Sequence, residues 1–510
     1  MPLLASLHAV DLGVLVVYFV GLLAAGLLLG RRKQRSTSDY FLGARSMPVW
    51  AVAISTIATA LSAATFVGAP AQAFKGDLTY LSAALGTIAA AFIVAWLFIP
   101  AFYRSGVMTV YELLGKRYGS PAKVAASLMF MVGRVFANGA RVYIAARAVA
   151  FVLLDASEGG EHPGAHDRAM LLAIGMMALV GVFYTLAGGI TSIIYTDAIQ
   201  TVVFVGAGVA AAVLLIASHP APQEILPTLK GATSPSGTPK LELLSFSLDP
   251  GRTYTLWTAL FGFTLLNVAA YGTDHDLVQR LLTCKSAAKG SLSVIAANLV
   301  GLPITALFML IGLLLFVFYS HPAIGPAPGD SRDIFLTFIR TRVPIGLAGL
   351  MIAGLFAIGV GSLNSALNAM ASTFVGDLYR PVVRGQTERH YVLVGRLSVV
   401  AWGIALAGFA AMCIAWEQAA SARRGMTLLD FALSVMLFAY AGLLAVFVAA
   451  LFTRQGDCRS VVAALVVGFF TVLGFELSGS VLAYPWRLPI AAALAFSVVC
   501  AGRPTRRPST

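Results

Sequence analysis

The sequence predicts an all-α integral membrane protein with about thirteen transmembrane helices. Its 510 residues are 59% hydrophobic and 11% charged, a balance that soluble globular chains of this length do not have. Apolar runs near or above the ~20 residues needed to span a bilayer recur along the whole chain. Lysine and arginine collect in alternate short loops between those runs.

The runs cover residues 10–30, 49–68, 79–103, 124–154, 170–187, 193–217, 254–273, 292–319, 347–375, 392–416, 428–452, 461–477 and 488–500. The last two are short. The first has no basic stretch before it and no cleavage pattern after it, so it is expected to be a retained span, not a signal peptide. Arg31-Arg-Lys-Gln-Arg35 follows it and places that loop in the cytoplasm. Alternation then puts inside the loops holding Lys116 and Arg117, Lys285 and Lys289, Arg380 with Arg384 and Arg389, and Arg454 with Arg459. The tail with Arg503, Arg506 and Arg507 falls on the same side. The intervening loops are poorer in positive charge: Glu158-Gly-Gly-Glu-His-Pro-Gly is acidic, and 218–251 is long and nearly neutral. Arg423 and Arg424 run against the rule. The expected topology has the N-terminus outside and the C-terminus inside, in the plasma membrane.

The net charge of +13 is accounted for by topology, and no nucleic-acid partner is expected. Cys284, Cys413, Cys458 and Cys500 have no paired spacing and predict neither disulfides nor a zinc site. One transporter domain is expected over residues 1–502: an extra helix and loop at 1–45, a core at 46–455, and extra helices at 456–502. A short tail, 503–510, follows.

The second span carries Ala58-Thr-Ala-Leu-Ser-Ala-Ala-Thr-Phe-Val-Gly-Ala-Pro70, an apolar helix with a run of hydroxyls and a break at Gly68 and Pro70. A break inside a bilayer frees backbone carbonyls, and a cation is their natural guest. The seventh span, five later, also ends in polar residues, a pointer to an inverted repeat. Asp197 lies a turn inside the sixth span; it is either an interfacial acid reaching water or one that holds a partner or an ion. Ser362, Ser365 and Asn368 repeat every three residues in the ninth span. They suit close helix packing, or a hard cation that takes oxygen ligands. The fourth span holds Arg134, Asn138 and Arg141, the two arginines about 10 Å apart along the axis. An arginine as deep as Arg134 needs an anion, either a protein carboxylate or that of a substrate. Arg147, nearer the outer interface, is expected to snorkel. His275 between Asp274 and Asp276 reads as a hydrated helix end ahead of a metal pair. Gly26 and Gly30 match G-x-x-x-G, a common pattern in apolar runs. The chain has no H-E-x-x-H, Walker loop or G-x-S-x-G, and no enzymatic role or cofactor beyond a coupling ion is expected.

Taken in order, these segments resemble the sodium/solute symporter family over roughly residues 11–452. The matching segments are Asp39-Tyr-Phe-Leu-Gly43 with Arg45, the broken stretch at 62–70, Thr109-Val-Tyr-Glu112, and Gly188-Gly189 through Asp197 and Gln200. Asp276-Leu-Val-Gln-Arg280 and Ser365-Ala-Leu-Asn368 with Asp377-Leu-Tyr379 complete the set. The resemblance implies a core of five plus five inverted helices similar to the leucine-transporter fold, with one extra helix before it and two after. It implies a sodium site made by the carbonyls of Ala58, Leu61 and Ile358, the position of Gly361, and the hydroxyl of Ser362. Gly361 stands where the family has a hydroxyl residue, so one oxygen must come from elsewhere, or the site is weaker or takes protons. Sialic-acid and monocarboxylate-type members look most similar. They imply a second sodium site at Asp197, Asn364 and Ser365, and a substrate carboxylate held by Arg134 opposite Ser62 and Thr65, with Asn138 and Arg141 beside it. Ala60 and Ala84 stand where sialic-acid members have polar groups, which favours a smaller or more apolar organic anion. The expected function is sodium-coupled uptake of a small organic solute by alternating access. The alternatives are proton-coupled or uncoupled transport and, further off, a transporter-like sensor.

Overall fold

The computed structural model describes residues 8–30, 37–153, 165–187, 189–326, 329–424 and 427–505. Arg31 to Arg35, the acidic loop 158–164, Gly188, Arg506 and Arg507 lie outside the described residues. Among the described residues the protein is helical throughout, with isolated bridges and no strand. Nine helices are long and apolar enough to cross a membrane, and two bent pairs raise the number to eleven. The other two expected spans are shorter: Thr258–Phe263 running into Thr264–Thr273, and Tyr484–Cys500.

The helices that build the centre are α1 (Ala9–Gly30), α2 (Val49–Ala60), α3 (Ala64–Lys75), α4 (Thr79–Ser105), α5 (Ser120–Leu153), α6 (Ala165–Ala187) and α7 (Ile190–Ala217). They continue as α8 (Thr264–Thr273), α9 (His275–Leu281), α10 (Ala287–Ser320), α11 (Ile334–Arg342), α12 (Leu347–Thr373) and α13 (Glu388–Arg424). Next come α14 (Leu428–Val435), α15 (Leu437–Phe452), α16 (Cys458–Leu477) and α17 (Tyr484–Cys500).

The second span is broken, though at Leu61 and Ser62 and not at Gly68 and Pro70, where the break was expected: α2 and α3 meet at 65°, and the chain stays helical through Pro70. Leu61 is extended, with φ −75° and ψ 156°. The Ser62 hydroxyl accepts from the Ala64 N–H at 3.2 Å, competing with the helical ladder. Pro70 has no N–H to return and crowds the preceding turn, and residues Ala64–Gly68 widen into a π turn. The seventh span breaks at the matching place. α8 stops at Thr273, Asp274 is extended, and its carboxylate caps α9 by accepting from the Asp276 N–H at 3.0 Å. These paired breaks are the signature of the inverted repeat. α14 and α15 form a third bent pair, at 41° around Met436.

α12 is the central helix, with 89% of its membrane window buried, so its serines and asparagines face protein, not lipid. Close approach needs glycine at some crossings. A Cβ on Gly312 of α10 would lie 2.2 Å from the Pro70 carbonyl oxygen of α3, so glycine there seats the second half of the broken helix. Arg147 does not snorkel. It is buried and bidentate with Asp333, Nε to Oδ1 at 3.1 Å and Nη2 to Oδ2 at 2.8 Å. α11 supplies a partner close enough to outcompete water.

In the loop 218–251, Lys240 is buried and caps the free end of α3, donating to the carbonyl oxygens of Phe74 at 2.6 Å and Ala73 at 3.3 Å. Burial pushes its ammonium down to about 8, against the pull of Asp77. Between pH 8 and the ordinary lysine range the unfolded chain binds the extra proton, so stability should rise with pH there. The thermal midpoint of Lys240→Met should lack the part of the rise that wild type shows over that window. Parallel profiles would contradict this.

Candidate binding site

Unwinding at Leu61 takes a set of carbonyls out of the helical ladder. The Leu61 N–H closes the last turn of α2 on Ile57 at 2.8 Å, and bonding resumes from Ser62 to Thr65 at 2.8 Å. The carbonyls of Ala58, Thr59, Ala60 and Leu61 lie between. Arg141 of α5 takes one of them, donating from Nη1 to the Thr59 oxygen at 3.0 Å.

Arg141 also lines a cavity of about 170 Å³ beside the break. Its other walls come from α2, α4, α8, α10 and α14. Ile57, Leu61, Leu81, Phe263 and Leu266 make it largely apolar, while Tyr80, Thr87, Asn267, Asn298 and Thr305 supply scattered polar atoms. Ala60 and Ala84 both face it. Arg141 is only 8% exposed and no carboxylate pairs with it among the described residues; its second contact is Met436 Sδ at 4.0 Å. A buried guanidinium beside a cavity without a protein counter-ion is a ready acceptor for an anionic guest.

Arg134 is placed differently from what the resemblance implied. It is fully buried and takes its anions from the protein itself. Its Nε donates to Asp274 Oδ1 at 2.9 Å, its Nη2 pairs with Asp274 Oδ2, and its Nη1 lies 3.2 Å from Asp276 Oδ2. The Tyr440 hydroxyl completes Asp274 at 2.6 Å. Of the two anions left open for this arginine, protein carboxylates are the ones found beside it. Asp274, His275 and Asp276 are each at most 1% exposed, which also overturns the hydrated helix end. The break after α8 carries them into the protein. Asn138 accepts from Arg134 at 3.3 Å and reaches the Ser362 carbonyl oxygen at 3.4 Å, a bracing role. Ser62 spends its hydroxyl on the local turn, Thr65 is buried in the π turn, and neither lines the cavity.

The expected cation ligands lie where α2 packs on α12, with Thr59 Oγ1 3.4 Å from Ser365 Oγ. Ser362 donates to the Gly359 oxygen at 3.1 Å, which leaves its lone pairs free. Ile358 and Gly361 are buried on the same helix. Gly361 faces α7: a Cβ there would sit 2.7 Å from Gln200 Oε1 and 3.6 Å from Asp197 Oδ1. The hydroxyl side chain expected from the family pattern has no room unless Gln200 moves. Asp197 accepts from the Ser55 hydroxyl at 2.5 Å and pairs with Arg280 at 3.4 Å. Asn364 is bonded by Thr185 at 3.3 Å, and Ser365 donates to Asp276. The three expected second-site residues therefore lie in or beside one buried polar region, with the Ser365 hydroxyl spent on Asp276.

Sequence reading missed Ser55, Arg280 and Tyr440 as members of this region. Arg280 bridges Asp197 and Asp276, the latter at 3.1 Å. The signal for Arg280 was its place in the Asp276-Leu-Val-Gln-Arg280 segment that resembles the family. The network holds three carboxylates, Asp197, Asp274 and Asp276, against two guanidiniums, Arg134 and Arg280.

A repeat of helices broken at midspan and a largely apolar cavity with a buried arginine at the break are the marks of a secondary transporter. The sodium:solute symporter family matches residues 40–468, and the chain belongs to that family. It is 28% identical over 486 residues to the sodium/iodide cotransporter of Homo sapiens, covering 93% of this chain and 70% of that one. It is 27% identical over 466 residues to the sodium/sialic acid symporter SiaT of Proteus mirabilis, covering 89% and 87%. Among solved structures it is similar to a Na+-coupled sialic acid symporter in a substrate-bound, outward-open state with a novel Na+ site. The TM-score is 0.81 and the identity 25%, over 99% of this chain and 100% of that one. The fold is shared more distantly with Mhp1, a nucleobase-cation-symport-1 family transporter, at a TM-score of 0.54 and 16% identity.

Proposed function

We propose that this protein imports a small organic anion, a carboxylate with a largely apolar body, together with sodium. The observation that carries the reading is Arg141: buried, open to the cavity, without a carboxylate partner among the described residues, and hydrogen-bonded to a carbonyl at the break. A carboxylate in the cavity would neutralise it. The same event would fix the Thr59 carbonyl, one residue from Ala58 and two from Leu61, whose oxygens are proposed for sodium with those of Ile358 and Ser362. Substrate and ion would then stabilise one geometry of the break, and each would favour the other.

The excess carboxylate of the buried network supports a second cation near Asp197, with Asn364 and Ser365 as further ligands after Ser365 turns. A monoanion entering with one sodium moves no net charge and loses the ~2.3 kcal/mol that 100 mV supplies per charge. A second sodium restores that drive. With the topology read from the basic loops, N-terminus outside and C-terminus inside at the plasma membrane, an inward sodium gradient would drive uptake. Gly361 favours a second reading, proton-coupled or uncoupled transport, because it removes one hydroxyl ligand.

Uptake into liposomes under a sodium gradient, a proton gradient or neither separates these readings. Asp197→Asn should raise the half-saturating sodium concentration about tenfold and change substrate affinity at saturating sodium far less. Unchanged sodium dependence in that variant counts against the second cation site.

A further inference from the structure

Toward its end, the loop 218–251 carries an apolar stretch, Leu243-Leu-Ser-Phe-Ser-Leu248, that belongs to no helix. Burial alternates along it. Leu244 is exposed, Phe246 is 66% exposed and Leu248 81%, while Ser245 is buried. A period of two puts the three large side chains on one side of the chain. The backbone pins the stretch in place. The Ser245 carbonyl oxygen accepts from the Leu256 N–H at 2.8 Å, and that of Phe246 accepts from the Trp257 indole at 3.4 Å. Farther on, the Pro250 oxygen accepts from the Ala483 N–H at 2.9 Å, just before α17. The apolar side chains therefore stand on a fixed support, uncovered by the described residues.

They extend a surface that faces lipid. On α17, Trp486, Ile490 and Leu494 recur every four residues along one face, the last two exposed. Phe261, also exposed, stacks on Trp486 at 6.4 Å between ring centres. Val481 joins this stripe to the loop: it is 90% exposed, and its carbonyl oxygen would lie 3.3 Å from a Cβ on Gly251. A patch of this kind is costly in water, and the bilayer is the apolar phase that continues it. The depth follows from the backbone. A stretch outside any helix has N–H and C=O groups that the hydrocarbon core cannot satisfy, whereas the headgroup boundary hydrates them. Glu242 and Asp249 bracket the stretch with charge, and Trp257 and Trp486 are of the residue type that settles at that depth.

We propose that the stretch 243–248 is an interfacial membrane anchor, with Leu244, Phe246 and Leu248 inserted at the headgroup boundary of the outer leaflet. Leu256 and Trp257, to which it is bonded, lead into the seventh span, so the anchor also sets the depth of that span's outer end. The inference goes beyond the transport reading and uses neither the sodium nor the substrate assignment.

The test uses the full-length protein in phosphatidylcholine liposomes. Phe246→Trp and Leu248→Trp are each read as the difference in tryptophan emission from wild type. Lipids brominated near the headgroup end of the acyl chain should quench the added tryptophan about twofold more than lipids brominated near its methyl end, as an insertion of ~5–10 Å requires. Iodide on both sides of the bilayer should quench it little. Quenching by iodide and not by lipid overturns the proposal, because the stretch then stands in water. Shielding from both overturns it as well, because protein then covers the patch. Equal or stronger quenching from the methyl end overturns the interfacial depth. If Phe246→Trp does not fold, Leu248→Trp, at the more exposed position, carries the test alone.

Discussion

Replacing Arg134 with methionine is expected to destabilise the protein by about 3–5 kcal/mol, the cost of removing one partner from a buried ion pair. Arg134 neutralises Asp274 at two points and shares Asp276 with Arg280. Without it, Asp276 keeps Arg280 and the Ser365 hydroxyl, while Asp274 keeps the Tyr440 hydroxyl and the Asp276 N–H but no cation among the described residues. The same helices, α5, α9 and α15, would lose their common tie. Thermal or denaturant midpoints in detergent report the effect. Asp274→Asn in the Arg134→Met background should recover part of it, because a neutral amide no longer needs a counter-ion. If Arg134→Met instead folds as well as wild type and fails only in uptake, its guanidinium serves the substrate after all.

The second large effect is opposite in character. Arg141→Met is expected to cost little or no stability, since it deletes a buried charge that has no carboxylate of its own. Uptake should fall by about 2–5 kcal/mol in apparent transition free energy, the range for losing one side of a buried charge pair, which amounts to thirtyfold or more. Sodium should still stabilise the variant, because the proposed sodium ligands lie on the backbone of α2 and on α12. Arg141→Lys should not restore full uptake: an ammonium cannot hold a carboxylate and the Thr59 carbonyl through one planar fork. Wild-type uptake in Arg141→Met would remove the carboxylate from the account.

These two arginines mark the limit of what the sequence discloses. Both are legible as buried cations from their depth in an apolar run. Two turns apart on one helix, they point to neighbouring regions, and nothing local says which will meet a carboxylate. The answer depends on the break at Asp274, which turns α9 inward. Asp-His-Asp at the end of an apolar run looks like a polar edge exposed to water, and the long-range packing of α9 reverses that. That the second span breaks was legible because Ser62, Gly68 and Pro70 disfavour a continuous helix by their own chemistry, but the sequence placed the break at Gly68 and Pro70, and the chain opens at Leu61 and Ser62 instead. Gly361 was visible as a missing hydroxyl, but the amide of Gln200 that fills its place comes from another helix. Short spans suffered similarly. The expected spans at 254–273 and 488–500 are helical over 258–273 and Tyr484–Cys500, each shorter than a full apolar span.

The central claim is that sodium and an organic carboxylate stabilise the same break in α2. Thermal stability of the purified protein in Na+ and in K+, with and without a panel of small carboxylates and neutral analogues, tests it most directly. A ligand at a hundredfold excess over its dissociation constant contributes about 2.7 kcal/mol by mass action. The account predicts a higher midpoint in Na+ than in K+, and a further rise with one carboxylate that appears only in Na+. Equal midpoints in the two salts, with neutral solutes giving the shift instead, would contradict both the sodium site at the break and the role of Arg141.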